Sequence, residues 1–205
     1  MSNLVDEIKL ESLRQWEELQ KHNKSVRPSR AYVTHFRNAE LVSKLRTSVF
    51  PTGFDNSQMQ LAGTQVFVAP PHTGMPIHKD GASKKSALNI IVQGTEQDWT
   101  RWYSDELIDN AGGKVANTFD NAEKRKSRHI GNLPRYPTLP YTDQLTGLML
   151  LGTVYLVNTD IYHAFFNNSD DYRIVLQTNF AGNPSIEQLS ERIQQTGLLN
   201  VNPIG

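Results

Sequence analysis

A mainly β domain, a barrel or sandwich flanked by helices, is the fold class that this 205-residue sequence predicts. Three observations predict it. Helical periodicity is confined to the two ends of the chain. Apolar residues alternate with a period of two in the middle. The turn Asn167-Asn168-Ser169-Asp170-Asp171 joins two β-rich runs as a hairpin.

Residues 3–22 read as a helix, with Leu4 four before Ile8, Leu13 three before Trp16, and charged residues between them. Ser25 to Pro28 ends it. A second, short helix is expected from Asn38 as N-cap, with Leu41, Val42 and Leu45 on its apolar side and Pro51-Thr52-Gly53 closing it. From Thr64 the pattern changes to strands. Gln65 to Val68 is the first, and Pro70-Pro71 breaks the chain before His78. Ala87 to Val92 alternates, with Leu88, Ile90 and Val92 on one face and Ala87, Asn89 and Ile91 on the other.

Residues 104–146 are the least regular part, punctuated by Gly112-Gly113, Pro134, Pro137 and Pro140. They are locally basic at Lys124-Arg125-Lys126 and Arg128, and a long irregular insertion suits a lid or binding loop. Strands follow at about 148–157, 162–166 and 172–180. A last helix is expected with Asn183 as N-cap and Pro184 at its first position. Ile186, Leu189 and Ile193 form its stripe, and Gly197 ends it.

Lys plus Arg equals Asp plus Glu, so no bulk field draws the chain to nucleic acid or membrane. There is no cysteine, which excludes disulfides, thiolate metal sites and cysteine nucleophiles. Asp6, Glu7 and Glu11 interrupt any signal-like apolar run, and no stretch approaches the roughly 20 apolar residues of a spanning helix. The expectation is one soluble intracellular domain.

The chemistry concentrates in a few residues. His78 and Asp80, at i and i+2 of an extended strand, point to one face and can share a metal ion. His163, on a distant strand, would complete two histidines and one carboxylate. That set leaves positions open, as a non-haem Fe(II) site requires. Arg173 lies ten residues after His163 in an apolar strand, on the face of Val175, Gln177 and Asn179. An arginine there is expensive to bury unless it meets an anion, either an internal aspartate or a ligand carboxylate held in a two-pronged grip.

The pattern His78-Lys79-Asp80, His163, Arg173 resembles the Fe(II)- and 2-oxoglutarate-dependent oxygenases over about residues 64–180. Ala87 to Ile91, Trp99, Trp102-Tyr103, Asn158-Thr159 and Asn167 look most like small members from bacteriophages and marine bacteria. A more distant similarity is to the aspartyl/asparaginyl β-hydroxylases. The resemblance implies a double-stranded β-helix, a cupin-like jelly roll, within a single domain spanning 1–205. Its core would span 63–182 with the insertion 104–146, between a helical part at 1–62 and a C-terminal helix at 183–205.

It further implies His78, Asp80 and His163 as iron ligands at the catalytic centre. Arg173 would bind the far carboxylate of 2-oxoglutarate, and Asn89 would hydrogen-bond the same co-substrate. The family often has a serine or threonine two residues after the arginine. Val175 stands there instead, and Gln177 or Tyr103 is the expected replacement. The implied reaction consumes O₂ and 2-oxoglutarate, releases succinate and CO₂, and hydroxylates a protein side chain or a small amino-acid-like molecule. The alternatives are a nucleobase-oxidising or demethylating oxygenase, for which the basic run would meet nucleic acid, and a cupin-like binding domain without turnover. Trp99, Trp102 and Tyr103 line the substrate entrance or pack at the barrel rim. The expected location is the cytoplasm, of a host cell if the chain is phage-encoded.

Overall fold

A computed structural model describes residues 2–22, 31–49, 60–80, 84–113, 115–121, 125–130 and 154–195. In chain order the elements are α1 (Ser2–His22), β1 (Tyr32–His35), α2 (Ala39–Val49), β2 (Leu61–Ala69), β3 (Gly74–Lys79), β4 (Ser86–Gln93) and β5 (Trp99–Tyr103). There follow α3 (Asp105–Asn110), β6 (Val115–Asn121), β7 (Arg125–Ile130), β8 (Val154–Asn158), β9 (Tyr162–Phe166), β10 (Arg173–Phe180) and α4 (Ile186–Gln195). No helix among the described residues is long and apolar enough to cross a membrane.

The strands form two five-stranded sheets, β1-β2-β10-β4-β8 and β5-β9-β3-β7-β6, with antiparallel pairing throughout. In β2-β10-β4-β8 and in β5-β9-β3, strands from the first half of the chain alternate with strands from the second. That interleaving defines a jelly roll. The fold is a double-stranded β-helix.

Period-two alternation sorts the side chains of the first sheet. Ile174, Leu176 and Phe180 of β10, Leu88 and Ile90 of β4, and Val66 and Val68 of β2 lie in one buried cluster with Ile8 and Trp16 of α1, Leu41 and Leu45 of α2 and Leu189 of α4. The helices thus cover the outer face of this sheet, and each fully buried leucine there contributes about 2 kcal/mol. Phe67 and Phe165 meet edge to face across the interior, with ring centroids 6.2 Å apart. The outer face of the second sheet carries Ile77, Tyr162 and Ala164, packed with Ile108 of α3. Lys79 pairs with Asp105 at 2.6 Å and ties α3 to β3.

Several expectations are corrected. The Tyr32–His35 strand went unread, and its four residues take their order from pairing with Gln65–Val68. The strand expected from Thr64 is β2, which begins at Leu61. The stretch from 104 is regular as far as it is described. Ser104 caps α3 through a hydrogen bond from the Leu107 N–H, and β6 and β7 form a hairpin whose inner strand pairs with β3. Residues 131–146, Lys124 and the expected strand start at 148–153 lie outside the described residues. So do Pro51-Thr52-Gly53 and Gly197.

The N-cap of the last helix is Ser185, not Asn183. The Ser185 Oγ accepts from the Gln188 N–H at 3.3 Å, and the Gln188 side chain accepts from the Ser185 N–H at 2.9 Å, a capping box. Asn183 sits in the left-handed region at φ 49° and accepts the Lys85 N–H instead. At the second helix the expectation holds, since the Asn38 Oδ1 accepts from the Leu41 N–H at 3.0 Å.

Gly74 supports the pairing of β3 with β9. A Cβ built there would lie 2.1 Å from the Phe165 carbonyl oxygen and 2.8 Å from the Phe166 Cα, both backbone atoms that cannot rotate away. Gly74→Ala should therefore lower stability by about 3 kcal/mol in urea melts. Gly63→Ala, which meets nothing within 4 Å, should change little and serves as the control.

Candidate metal centre

His78, Asp80 and His163 come together. One donor atom from each lies within 4.8 Å of the other two, so the three can hold one metal ion. Strand register does this. His78 and His163 are direct partners across β3 and β9, and their rings stand 4.3 Å apart. Both are buried, at 5% and 9% exposure.

Each histidine is oriented by its own strand. The Nδ1 of His78 lies 2.8 Å from the Pro76 carbonyl oxygen, and that of His163 lies 2.9 Å from the Ile161 carbonyl oxygen. A carbonyl only accepts, so Nδ1 carries the proton and Nε2 presents its lone pair. A metal-binding imidazole is commonly fixed in this way. Burial, and next the neighbouring His163, push the His78 pKa down to about 4 against the pull of Asp80. His78 is therefore neutral, as a ligand must be, at any pH well above that value.

Asp80 follows β3 directly. Its N–H donates to the Thr159 carbonyl, and the Thr159 hydroxyl and N–H donate to the carbonyls of Lys84 and Lys85. Asp80 at the end of β3 and Lys84-Lys85 before β4 are thereby laced to the segment after β8. Burial favours the neutral carboxyl of Asp80, but Lys84 foremost, with His163 and His78, outweighs it and holds the pKa down at about 2. Lys84 Nζ stands 2.9 Å from Asp80 Oδ2, while Oδ1 faces His78 Nε2 at 3.5 Å.

Arg173 lines the same cavity as the three candidate ligands. It is 8% exposed, and burial lowers its pKa to about 10, with Asp98 opposing. It therefore stays charged at neutral pH. Its guanidinium hydrogen-bonds the Thr100 hydroxyl at 2.9 Å and lies over the Phe165 ring. Among the described residues Asp98 is the carboxylate that acts on it, and none forms a direct ion pair with it. Thr100 thus sets a hydroxyl directly beside the Arg173 guanidinium.

Asn89 also lines the cavity. Its Oδ1 accepts from the Gln177 Nε2 at 2.9 Å, and Gln177 in turn takes a hydrogen bond from Lys84. The aromatic trio divides. Trp102 lines the cavity and donates to the Asn158 carbonyl, while Tyr103 belongs to the outer-face cluster with Trp99 packed on it. Thr100 and Lys84 are the residues that sequence reading missed, and Thr159 was singled out with no role given to it. Thr100 had one usable signal, its place two residues before Trp102 in an alternating strand.

No protein-family model and no curated protein matches this sequence. Solved structures do match in shape. The epimerase SnoN, in complex with Fe³⁺, α-ketoglutarate and nogalamycin RO, is 14% identical with a TM-score of 0.46, over 87% of this chain and 74% of that one. A 2OG-Fe(II) oxygenase family oxidoreductase from Burkholderia pseudomallei is 11% identical with a TM-score of 0.34. That match covers 61% of this chain and 46% of the oxidoreductase, so it spans less than half of the latter. A cupin domain from Bordetella pertussis is 9% identical with a TM-score of 0.30, over 60% and 92%. The assignment of the fold rests on the strand order.

Proposed function

We propose that this protein is an Fe(II)- and 2-oxoglutarate-dependent oxygenase that hydroxylates a protein side chain or a small amino-acid-like molecule. The reading belongs to the oxygenases at large, and the phage-like resemblance is part of the proposal. One observation carries it. A two-histidine, one-carboxylate cluster and a buried arginine with no carboxylate partner among the described residues line a single cavity.

The donor set fits ferrous iron, since two imidazoles and one carboxylate leave positions for a co-substrate and O₂. Neutral Nε2 atoms on His78 and His163 and an ionised Asp80 are the protonation states that ligation needs. When bound, the metal supplies the oxidative decarboxylation of 2-oxoglutarate to succinate and CO₂ and the hydroxylation of a C–H bond. The chain's own residues bind and orient. Arg173, flanked by Thr100, offers a planar fork to the far carboxylate. Asn89 offers amide N–H donors from β4, in the same sheet as Arg173 and facing the sheet that carries the two histidines. Phe67, Phe165 and Trp102 wall the cavity with apolar surface that excludes water.

Anaerobic Fe(II) with 2-oxoglutarate should give the weak visible charge-transfer band of a chelated ferrous site and raise the melting temperature. Absence of both signals overturns the proposal. Succinate release, screened against peptides, free amino acids and oligonucleotides, then selects the substrate class.

A further inference from the structure

Among the described residues, Lys84 is the ammonium placed against both a candidate metal ligand and the polar wall of the cavity. Its Nζ contacts Asp80 Oδ2 at 2.9 Å and the Gln177 side-chain oxygen. Only 14% of its side chain is exposed. An ammonium has three donors and no acceptor, so it dictates the orientation of any amide beside it. Gln177 must turn Oε1 to Lys84, which points its Nε2 at the Asn89 Oδ1, 2.9 Å away. Asn89 is then left with its Nδ2 donors for the cavity it lines. The same ammonium holds Oδ2 of Asp80, which leaves Oδ1, the oxygen facing His78 Nε2, for a metal.

We infer that Lys84 is a positioning residue with two effects. It restricts Asp80 to single-oxygen ligation, and through Gln177 it turns the Asn89 amide donor toward an anionic ligand. The inference rests on the reading of His78, Asp80 and His163 as metal ligands and adds a specificity device to it. The cavity then presents donors from two of its walls, the Arg173 guanidinium and the Asn89 amide N–H, which favours a dicarboxylate as ligand.

The test uses the full chain as wild type, Lys84→Met, Lys84→Arg and Gln177→Glu. Fe(II) affinity is measured anaerobically by equilibrium dialysis, 2-oxoglutarate affinity on the metal-loaded protein, and the Asn89 side-chain amide by NMR without metal. Lys84→Met should weaken Fe(II) binding roughly 10–100-fold, the usual effect of removing a group that orients a ligand, and shift the Asn89 amide signals. Lys84→Arg should restore both. Gln177→Glu can accept from Lys84 but cannot donate to Asn89. It should leave Fe(II) affinity intact and weaken 2-oxoglutarate about 10-fold, because Asn89 must then show its oxygen to the co-substrate.

Wild-type protein that binds no Fe(II) overturns the oxygenase reading itself. If wild type binds Fe(II) and 2-oxoglutarate, and Lys84→Met matches it in metal affinity and in the Asn89 signals, only the role given to Lys84 falls. A Lys84→Met protein that melts early yet keeps wild-type affinities gives Lys84 a purely structural role and overturns the inference equally.

Discussion

His163→Ala should lower Fe(II) affinity by roughly 100-fold or more while the jelly roll stays folded, because loss of a ligand must cost at least what loss of a ligand's orienting partner costs. The reason lies in where the side chain sits. His163 projects inward from β9, between outward-facing Tyr162 and Ala164, so its removal leaves the outer-face cluster of the second sheet intact. Its ring stands tilted against that of His78, which remains buried on β3, still with Nδ1 bound to the Pro76 carbonyl. One imidazole and one carboxylate then remain, too few to hold a divalent ion against water. Removal of His163 also takes away the second-largest influence that lowers the His78 pKa, while burial, the largest, persists. The His78 titration should rise from about 4 yet stay below the ordinary imidazole value of 6.5. Proton NMR of the His78 ring checks this independently of metal. A His163→Ala protein with wild-type Fe(II) affinity would refute the ligand assignment.

The contrast between what the sequence revealed and what it hid follows from the range of the forces involved. β4 and β10 were legible because both faces of each strand are specified locally: Leu88, Ile90, Ile174 and Leu176 meet the helices, and Asn89, Arg173 and Gln177 line the cavity. His78 and Asp80 were legible because period-two geometry needs no partner. β1 was hidden because a four-residue edge strand owes its order to β2, far away in sequence. Thr100 was hidden for the same reason. Only the pairing of β5 with β9, which sets Thr100 opposite Phe165, brings its hydroxyl to Arg173. Lys84 lies four residues after Asp80 and outside any strand, where spacing carries no orientation, and hydrogen bonds from Thr159 fix its place. At α4 two local signals competed. Asn183 and Pro184 imitate a helix start, but the Ser185–Gln188 capping box wins because it satisfies two backbone donors, while Asn183 is committed to Lys85.

Arg173→Met should move stability and affinity in opposite directions, which separates a binding arginine from a structural one. A structural arginine in a buried ion pair leaves an unpaired carboxylate when removed, and the protein loses about 3–5 kcal/mol. Arg173 has no such partner among the described residues. Arg173 is 8% exposed, and its guanidinium is satisfied in part by the Thr100 hydroxyl and the Phe165 ring face and destabilised by burial enough to lower its pKa to about 10. The folded protein therefore carries a desolvation cost that ligand-free Arg173 does not recover. Methionine fills much of the same volume without that cost, so Arg173→Met should melt at the same temperature as wild type or higher. The affinity for 2-oxoglutarate should fall by roughly 100-fold, equivalent to about 3 kcal/mol for truncating one side of a buried charge pair. Fe(II) affinity should stay unchanged, because none of the three metal donors touches Arg173. Arg173→Lys keeps the charge but loses the planar fork, and should recover only part of the affinity. Calorimetric melts with titrations of 2-oxoglutarate into the metal-loaded variants decide the matter. Lower stability with unchanged 2-oxoglutarate affinity would make Arg173 a structural residue and leave the cavity without its anion anchor.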